Sequence, residues 1–308
     1  IADAINTLLF DVVQGTIFYE LDVDRETMLE VKDEVHNLIA EKAASLDLLW
    51  LLNNKGRRYR YLLDYMTEAR TRILRSRLNS GIDFDDMLGA FLNAYKITDE
   101  NSPDFEAVSK QMLTFNIIGQ QEAITSLLWA VVRLAQHPEV SERIAKEVST
   151  VVKGEAPTFE DYGNLKYTHA FISEVLRLHP PLFLINREAI ADDEVVGYRI
   201  PAKSTIGFPL CRIHRHPDFW EKPDEFIPER FLDKPWGQDN QFAYIPFLAG
   251  KRNCVGRNFV FLAMTLVTGM LAQRFRFSLA PDLKLARDRE FLVYDRPNLV
   301  NSLVQTRA

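Results

Sequence analysis

The feature that most limits what this chain can become is an apolar pattern at helical period that runs from Ser102-Pro103 to Gln136. Ser102 offers a capping hydroxyl, and Pro103 suits a first helical position, where its missing N–H would be unbonded anyway. His137-Pro138 closes the pattern, because the residue before a proline is pushed away from helical geometry. At the usual rise per residue such a helix reaches roughly 50 Å, enough to cross a whole domain. Gly119 sits in its middle, where glycine costs about 1 kcal/mol against alanine. A costly residue there asks for a reason, such as a ligand lying close to the backbone.

Helical periodicity dominates on both sides of that segment. It covers Ala2 to about Phe18 and Arg25 to Leu52, and Gly56 breaks it. It resumes from about Arg57 to Leu78, with a stop signal at Asn79-Ser80-Gly81, and again from Phe84 to Tyr95. Further helices fit Glu139 to Val152 and Asn164 to His179, the latter stopped by Pro180-Pro181. The texture then changes. Residues 182–210 alternate in short runs around Gly197, Pro201 and Gly207, as strands and turns do. Residues 212–250 are rich in proline and aromatics without periodicity, a long ordered coil of the kind that usually carries function. A last helix fits Arg257 to Gln273. The tail reads as strands with Pro281 and Pro297 at turns. The expected class is mainly α with small β-sheets, in one domain over 1–308: helical over 1–180, strand and coil over 181–308.

Composition narrows the function classes. A chain of 308 residues that is 47% hydrophobic and 26% charged can bury a large core, and neither disorder nor a fibrous repeat fits it. A net charge of -6 argues against nucleic acid as a partner. Arg57, Arg58, Arg60, Arg70, Arg72, Arg75 and Arg77 cluster at helical spacing. They read as a solvated face, with a partner or membrane-surface contact as the sharper alternative. Two cysteines, Cys211 and Cys254, exclude a disulfide scaffold and suit a reducing compartment. No run is long enough for an apolar membrane span. The chain opens on Ile1, so both a cytoplasmic protein and one anchored to a membrane and facing the cytoplasm stay open.

The chemistry concentrates in Phe247-Leu248-Ala249-Gly250-Lys251-Arg252-Asn253-Cys254-Val255-Gly256. This is a loop entering a helix. Gly250 permits a turn that a side chain would forbid. Cys254 stands just ahead of the helix near Arg257, where a helix N-terminus favours an anion and so a thiolate. Arg252 sets a fixed cation two residues away, suited to an acidic group on a ligand. Gly256 lets the backbone approach something flat and bulky. Taken alone, a buried inert cysteine is the plainer reading. Zinc is a weaker rival: His214 and His216 are near in sequence, but no second cysteine stands at finger spacing.

The segment resembles the haem-binding signature of the cytochrome P450 family, Phe-x-x-Gly-x-Arg-x-Cys-x-Gly, at every fixed position. Three weaker matches follow the family's order: Gly119 in the long helix, Glu174-x-x-Arg177 before Pro180-Pro181, and Pro228-Glu229-Arg230-Phe231 before the cysteine. The resemblance covers essentially all of the chain. It implies a P450 fold with haem b, iron protoporphyrin IX, between the long helix and the cysteine loop. Cys254 would be the axial thiolate, whose donation favours O–O cleavage. Phe247 would shield the sulfur. Arg252 and Arg187 would meet haem propionates, and Glu174, Arg177 and Arg230 would form a buried structural ion network. The implied reaction is insertion of one oxygen atom from O2 into a small apolar organic substrate. Electrons would come from NAD(P)H through an electron-donor protein, a reductase or ferredoxin. Substrate-facing candidates are Ile117, Ile118 and Glu122, with Leu182, Phe183, Leu184 and Ile185; core packing is an equal reading of the apolar ones.

The sequence departs from the family in two places. Where the family's long helix carries an acid and then threonine, this chain has Gln121 and Glu122. Gln121 cannot act as an acid. Glu122, if buried, would hold a proton more firmly and could transfer it. Three readings follow: Glu122 replaces both residues in an ordinary cycle; Glu122 helps split a peroxide in a peroxygenase; or the helix bulges and brings Thr125 into play. A non-catalytic haem binder of the same fold is the rival from outside enzymology. Second, the family's N-terminal third is not represented in this sequence, which is either a piece of a longer protein or a truncated one.

Overall fold

The computed structural model describes residues 2–17, 25–44, 50–82, 85–154, 156–232, 241–279, 287–288, 296–297 and 302–306. The chain divides into two units, residues 1–124 and 125–308, and each has its own core.

The first unit holds α1 (Ala2–Ile17), α2 (Arg25–Ala44), α3 (Asn54–Ser80), α4 (Met87–Ala94), α5 (Phe105–Ile118) and the start of α6 (Gln121–Gln136). Its core takes Met28, Val31, Val35 and Leu38 from α2, and Leu62, Met66 and Ala69 from α3, with Phe10 and Trp50. Steps of three and four put each set on one helical face. The helix expected over 25–52 is described only to Ala44, and Trp50–Leu52 forms a separate 3₁₀ turn. Gly56 does not break the pattern. It lies in the first turn of α3 and donates its N–H to the Asn53 cap at 2.9 Å. At the other end Gly81 adopts φ 63, the left-handed stop that its sequence announces. Phe84, expected to open α4, lies outside the described residues; Asp86 caps that helix instead, accepting from Gly89 N–H at 2.7 Å.

The arginine cluster is not one solvated face. Arg57, Arg58, Arg60, Arg72 and Arg75 are exposed, but Arg70 and Arg77 are buried. Arg77 reaches the capping Asp86 at 2.8 Å, so one carboxylate starts α4 and anchors the end of α3. Arg70 donates to the Met66 carbonyl at 3.0 Å and the Thr67 hydroxyl at 2.8 Å. Burial brings its guanidinium down to about 10.

The single long helix is in fact two. α5 begins at Phe105, after Pro103, and ends at Ile118; Gly119 and Gln120 form a turn, and α6 restarts at Gln121. The Ser102 hydroxyl caps nothing in α5; it accepts the N–H groups of Thr98 and Asp99. A Cβ at residue 119 would lie 2.5 Å from the Phe115 carbonyl oxygen. The chain's own backbone therefore demands glycine there, and no ligand is needed to explain it.

The second unit is built on α9 (Lys166–Leu178), every residue of which from Ala170 onward is buried. Around it pack the body of α6, α7 (Pro138–Val151), the short α8 (Phe159–Tyr162) and α11 (Arg257–Arg274). A Cβ at Gly269 would lie 3.0 Å from Val148, which is how closely α11 and α7 approach. No side chain of α9's own caps its N-terminus. Glu147 on α7 does so, accepting from the N–H groups of Tyr167 at 2.6 Å and Thr168 at 2.9 Å, and from the Thr168 hydroxyl at 2.7 Å.

Among the described residues, four antiparallel strand pairs complete the unit. β1 (Ile185–Glu188) pairs with β4 (Thr205–Phe208), with Ile185 opposite Phe208. β2 (Asp193–Val195) turns into β3 (Tyr198–Ile200) through Val196 and Gly197, both at positive φ, the hairpin geometry whose twist suits the strands. β5 (Phe275–Leu279) pairs with β8 (Ser302–Thr306), and β6 (Arg287–Asp288) with β7 (Arg296–Pro297). Pro297 thus lies in a strand, not a turn; Pro281 is outside the described residues. The coil after β4 holds α10 (Leu210–Ile213) and 3₁₀ turns at Pro228–Phe231 and Gly250–Arg252. The architecture is mainly helical with small sheets, as the sequence implies. Among the described residues no helix is long and apolar enough to cross a membrane.

Candidate active site

The cysteine loop is closed by its own backbone. Leu248 N–H bonds the Ile245 carbonyl at 2.9 Å, Asn253 N–H bonds Gly250 at 3.1 Å, and Cys254 N–H bonds Phe247 at 2.8 Å. Phe247 and Cys254, seven residues apart, are thereby held side by side. The tight path needs left-handed backbone at two residues, Leu248 (φ 63) and Gly250 (φ 74). Glycine takes this freely, but leucine is strained by it. A leucine held this way marks a loop whose shape is fixed by more than local preference. Phe247 packs on Phe261 of α11, ring centroids 6.0 Å apart.

Cys254 lies three residues before the first residue of α11 and is exposed, as is Val255 beside it at 76%. That removes the reading of an inert buried cysteine. Among the described residues, a Cβ at Gly256 would meet only Cys254 Sγ at 3.8 Å and Val260 at 3.9 Å. These are ordinary contacts, so the protein itself does not call for glycine at 256. Arg252 is exposed, and among the described residues no carboxylate pairs with it. Arg187 stands on β1, also exposed; its Nη1 donates only to the Asn186 carbonyl at 2.8 Å.

Glu174 and Arg177 are not the surface pair that their spacing alone suggests. Both side chains have 0% exposure, and they meet through two bonds of 2.7 and 2.8 Å. The remaining guanidinium hydrogens go to the carbonyls of His214 (3.0 Å), Pro223 (2.7 Å) and Glu225 (3.0 Å). Trp220 lies against the guanidinium, 4.9 Å from it to the ring centroid. Glu174 also accepts Ile227 N–H at 2.8 Å and Arg230 at 3.4 Å. One buried acid thus gathers α9, the Pro228–Phe231 turn and the proline-rich coil. Glu229 extends the network: it takes Arg143 at 2.7 Å and the Tyr167 hydroxyl at 3.2 Å. Burial first, then the Glu229 charge, raises the Tyr167 phenol to about 12.

On α6, Gln121 is buried, and Glu122 occupies the first turn half-buried. Thr125, one turn on, is fully buried, and its hydroxyl finds no hydrogen-bond partner among the described residues. Leu182, Phe183, Leu184 and Ile185 are half-buried, so they retain surface for a ligand. Ile117 and Ile118 end α5, but their side chains lie outside the described residues. The zinc alternative fails on His214: its Nε2 accepts Ile245 N–H at 3.0 Å and is not available to a metal.

Several contributors have no sequence motif. Trp129 of α6 stacks on His179 at 3.7 Å, and Arg133 donates to the same imidazole at 2.7 Å, joining α6 to the end of α9. Tyr244 is buried and donates to the Ser173 carbonyl at 2.9 Å, while Trp220 Nε1 donates to Ala243 at 3.3 Å. Burial pushes the Tyr244 phenol far above its ordinary range. Only their aromatic character in an aperiodic coil could have drawn attention to them.

The chain matches the Cytochrome P450 family model over residues 1–300. It is 29% identical over 292 residues to a cyclooctat-9-en-7-ol 5-monooxygenase of Streptomyces melanosporofaciens, covering 92% of this chain and 63% of that protein. It is 31% identical over 292 residues to an 11-oxo-beta-amyrin 30-oxidase of Glycyrrhiza uralensis, covering 90% of this chain and 56% of the relative. The chain therefore spans less than two thirds of the length of these curated relatives. Among solved structures, retinoic acid-bound cyanobacterial CYP120A1 superposes with a TM-score of 0.85 at 24% identity, over 99% of this chain and 69% of that one. A zebra fish cytochrome P450 with abiraterone gives 0.82 at 22% identity. At these identities the structural likeness speaks for the fold.

Proposed function

Because this chain belongs to the cytochrome P450 family, we propose that it is the haem-carrying portion of a haem-thiolate monooxygenase with Cys254 as the iron ligand. The observation that carries the reading is the exposed Cys254 thiol on a backbone-closed loop at the start of α11. The residues present fit haem b. The Cys254 thiol is soft and exposed, and among the described residues no atom crowds the missing Cβ of Gly256 and no carboxylate pairs with the guanidinium groups of Arg187 and Arg252. Cys254 would hold the iron, Arg187 and Arg252 the propionates.

When bound, haem supplies oxygen activation: R–H, O2, two electrons and two protons give R–OH and water. The electrons require a donor protein, a reductase or ferredoxin drawing on NAD(P)H. The chain's own part is to hold the ligand, exclude water and manage protons. The buried ion network fixes the coil that leads into the cysteine loop. The half-buried side chains of 182–185 offer an apolar surface to a small organic substrate. For proton delivery α6 offers the Glu122 carboxyl and the Thr125 hydroxyl. The buried, unpartnered Thr125 Oγ1 is a group left to bind something other than protein.

The test is the reduced carbonyl spectrum of the haem-reconstituted chain. A band at the thiolate position is expected, and Cys254→Ala should abolish it. The same thiolate band in Cys254→Ala would overturn the ligand assignment. Turnover that needs a reductase supports the monooxygenase; turnover with hydrogen peroxide alone would make the protein a peroxygenase. Haem binding with neither would make it a non-catalytic binder.

A further inference from the structure

The entry to the cysteine loop hangs from one buried histidine. His214 closes α10 and is fully buried. Its carbonyl accepts Arg177, and its Nε2 accepts Ile245 N–H at 3.0 Å. Ile245 in turn gives its carbonyl to Leu248, the strained residue at which the loop begins its left-handed path. Phe247, bonded to Cys254 N–H, lies between them. A continuous run of bonds therefore leads from the Glu174–Arg177 pair through His214 to Ile245, and on to the loop. Ala243 and Tyr244 are pinned separately by Trp220 and Ser173, so the His214 bond is the last anchor before the loop departs.

From this geometry we infer that His214 is a positioning residue, and that its Nε2 acceptor sets the shape of the Cys254 loop and so the placing of the thiolate. The role requires a specific tautomer. To accept at Nε2, the ring must carry its proton on Nδ1, which is buried and finds no hydrogen-bond partner among the described residues. Burial, together with the Arg177 and Arg215 charges, holds the imidazole down at about 3, so the acceptor persists through the neutral range. The inference rests on Cys254 being the iron ligand only for its consequence at the metal; the loop geometry can be tested without haem.

The experiment compares His214→Phe, which keeps an aromatic ring beside Tyr244 but has no acceptor, with His214→Gln, whose amide oxygen can replace Nε2. In the haem-free chain, amide hydrogen exchange at Ile245 and at Cys254 should both quicken at least tenfold in His214→Phe and return toward the unaltered rate in His214→Gln. In the reconstituted chain the thiolate-type carbonyl band should fall in the first variant and recover in the second. Unchanged exchange at Cys254 in His214→Phe, or no recovery in His214→Gln, would overturn the inference. Should His214→Phe not fold, imidazole nitrogen shifts of the unaltered protein decide: Nδ1–H is expected, and an Nε2–H tautomer refutes the role. If the unaltered chain shows no thiolate band, the ligand reading fails by itself, while the exchange and tautomer results still judge His214.

Discussion

Arg177 makes five hydrogen bonds without any exposure, and its worth depends on how it is removed. Taking away one partner of a buried pair strands the other charge, which costs about 3–5 kcal/mol. Arg177→Met should therefore lower the unfolding free energy by about that much in a denaturant titration. Arg177→Lys should recover little, since an ammonium cannot present a planar fork to Glu174 and to three carbonyls at once. A loss below about 1 kcal/mol for Arg177→Met would show that Glu174 finds water or protonates cheaply. The pair's spacing was legible in the sequence, whereas its burial was expected only from the resemblance to the family. A Glu and an Arg three apart look the same on any helix face, and only the proline-rich coil lying over α9 decides between surface and core. Gly119 is the converse case. Its cost in a helix was visible, but the cause is the Phe115 carbonyl one turn back, a backbone event that side-chain patterns do not report.

At the scale of elements, patterns in the sequence located helices better than they located the breaks between them. The apolar pattern from Phe105 to Gln136 is continuous because α5 buries one face and α6 is buried nearly all round, from Ala123 to Val132, and a turn of two residues barely interrupts it. α8, at four residues, is too short to show a period, although Thr158 and Asp161 spell a capping box that the structure forms. The start of α9 illustrates a signal no local reading can give, because its cap comes from α7. Glu147 accepts three hydrogen bonds there, with a negative charge at a helix N-terminus. Glu147→Ala should cost about 2 kcal/mol of stability, by analogy with lost helix caps. Glu147→Gln should lose less, since an amide oxygen still accepts. Amide exchange at Tyr167 and Thr168 localises the effect; protection unchanged in Glu147→Ala would mean that α9 is capped from elsewhere.

For the molecule as a whole, the mainly helical class was readable from period alone and the family from the resemblance of one loop, whereas several groups that hold the second unit together carry no motif. His214 shows this most directly, because a buried neutral imidazole ties stability to pH. Its folded value, about 3, lies well below its ordinary 6.5. Above 6.5 both states are neutral there and the group adds no pH dependence. As pH falls from 6.5 toward 3, the unfolded chain takes up a proton that the folded one refuses, so stability drops by about 1.4 kcal/mol per pH unit. The groups facing the ring do not relieve this: Arg177 on α9 and Arg215 beside it are cations, Tyr244 is neutral, and Glu174 is already paired with Arg177. His214→Gln keeps an acceptor for Ile245 but cannot titrate. Between pH 6.5 and 5 the unaltered chain should lose about 2 kcal/mol more than His214→Gln, measured as urea unfolding free energies at each pH. Parallel curves for the two proteins would mean that His214 takes its proton within the fold, and that the bond to Ile245 yields before the rest of the coil does.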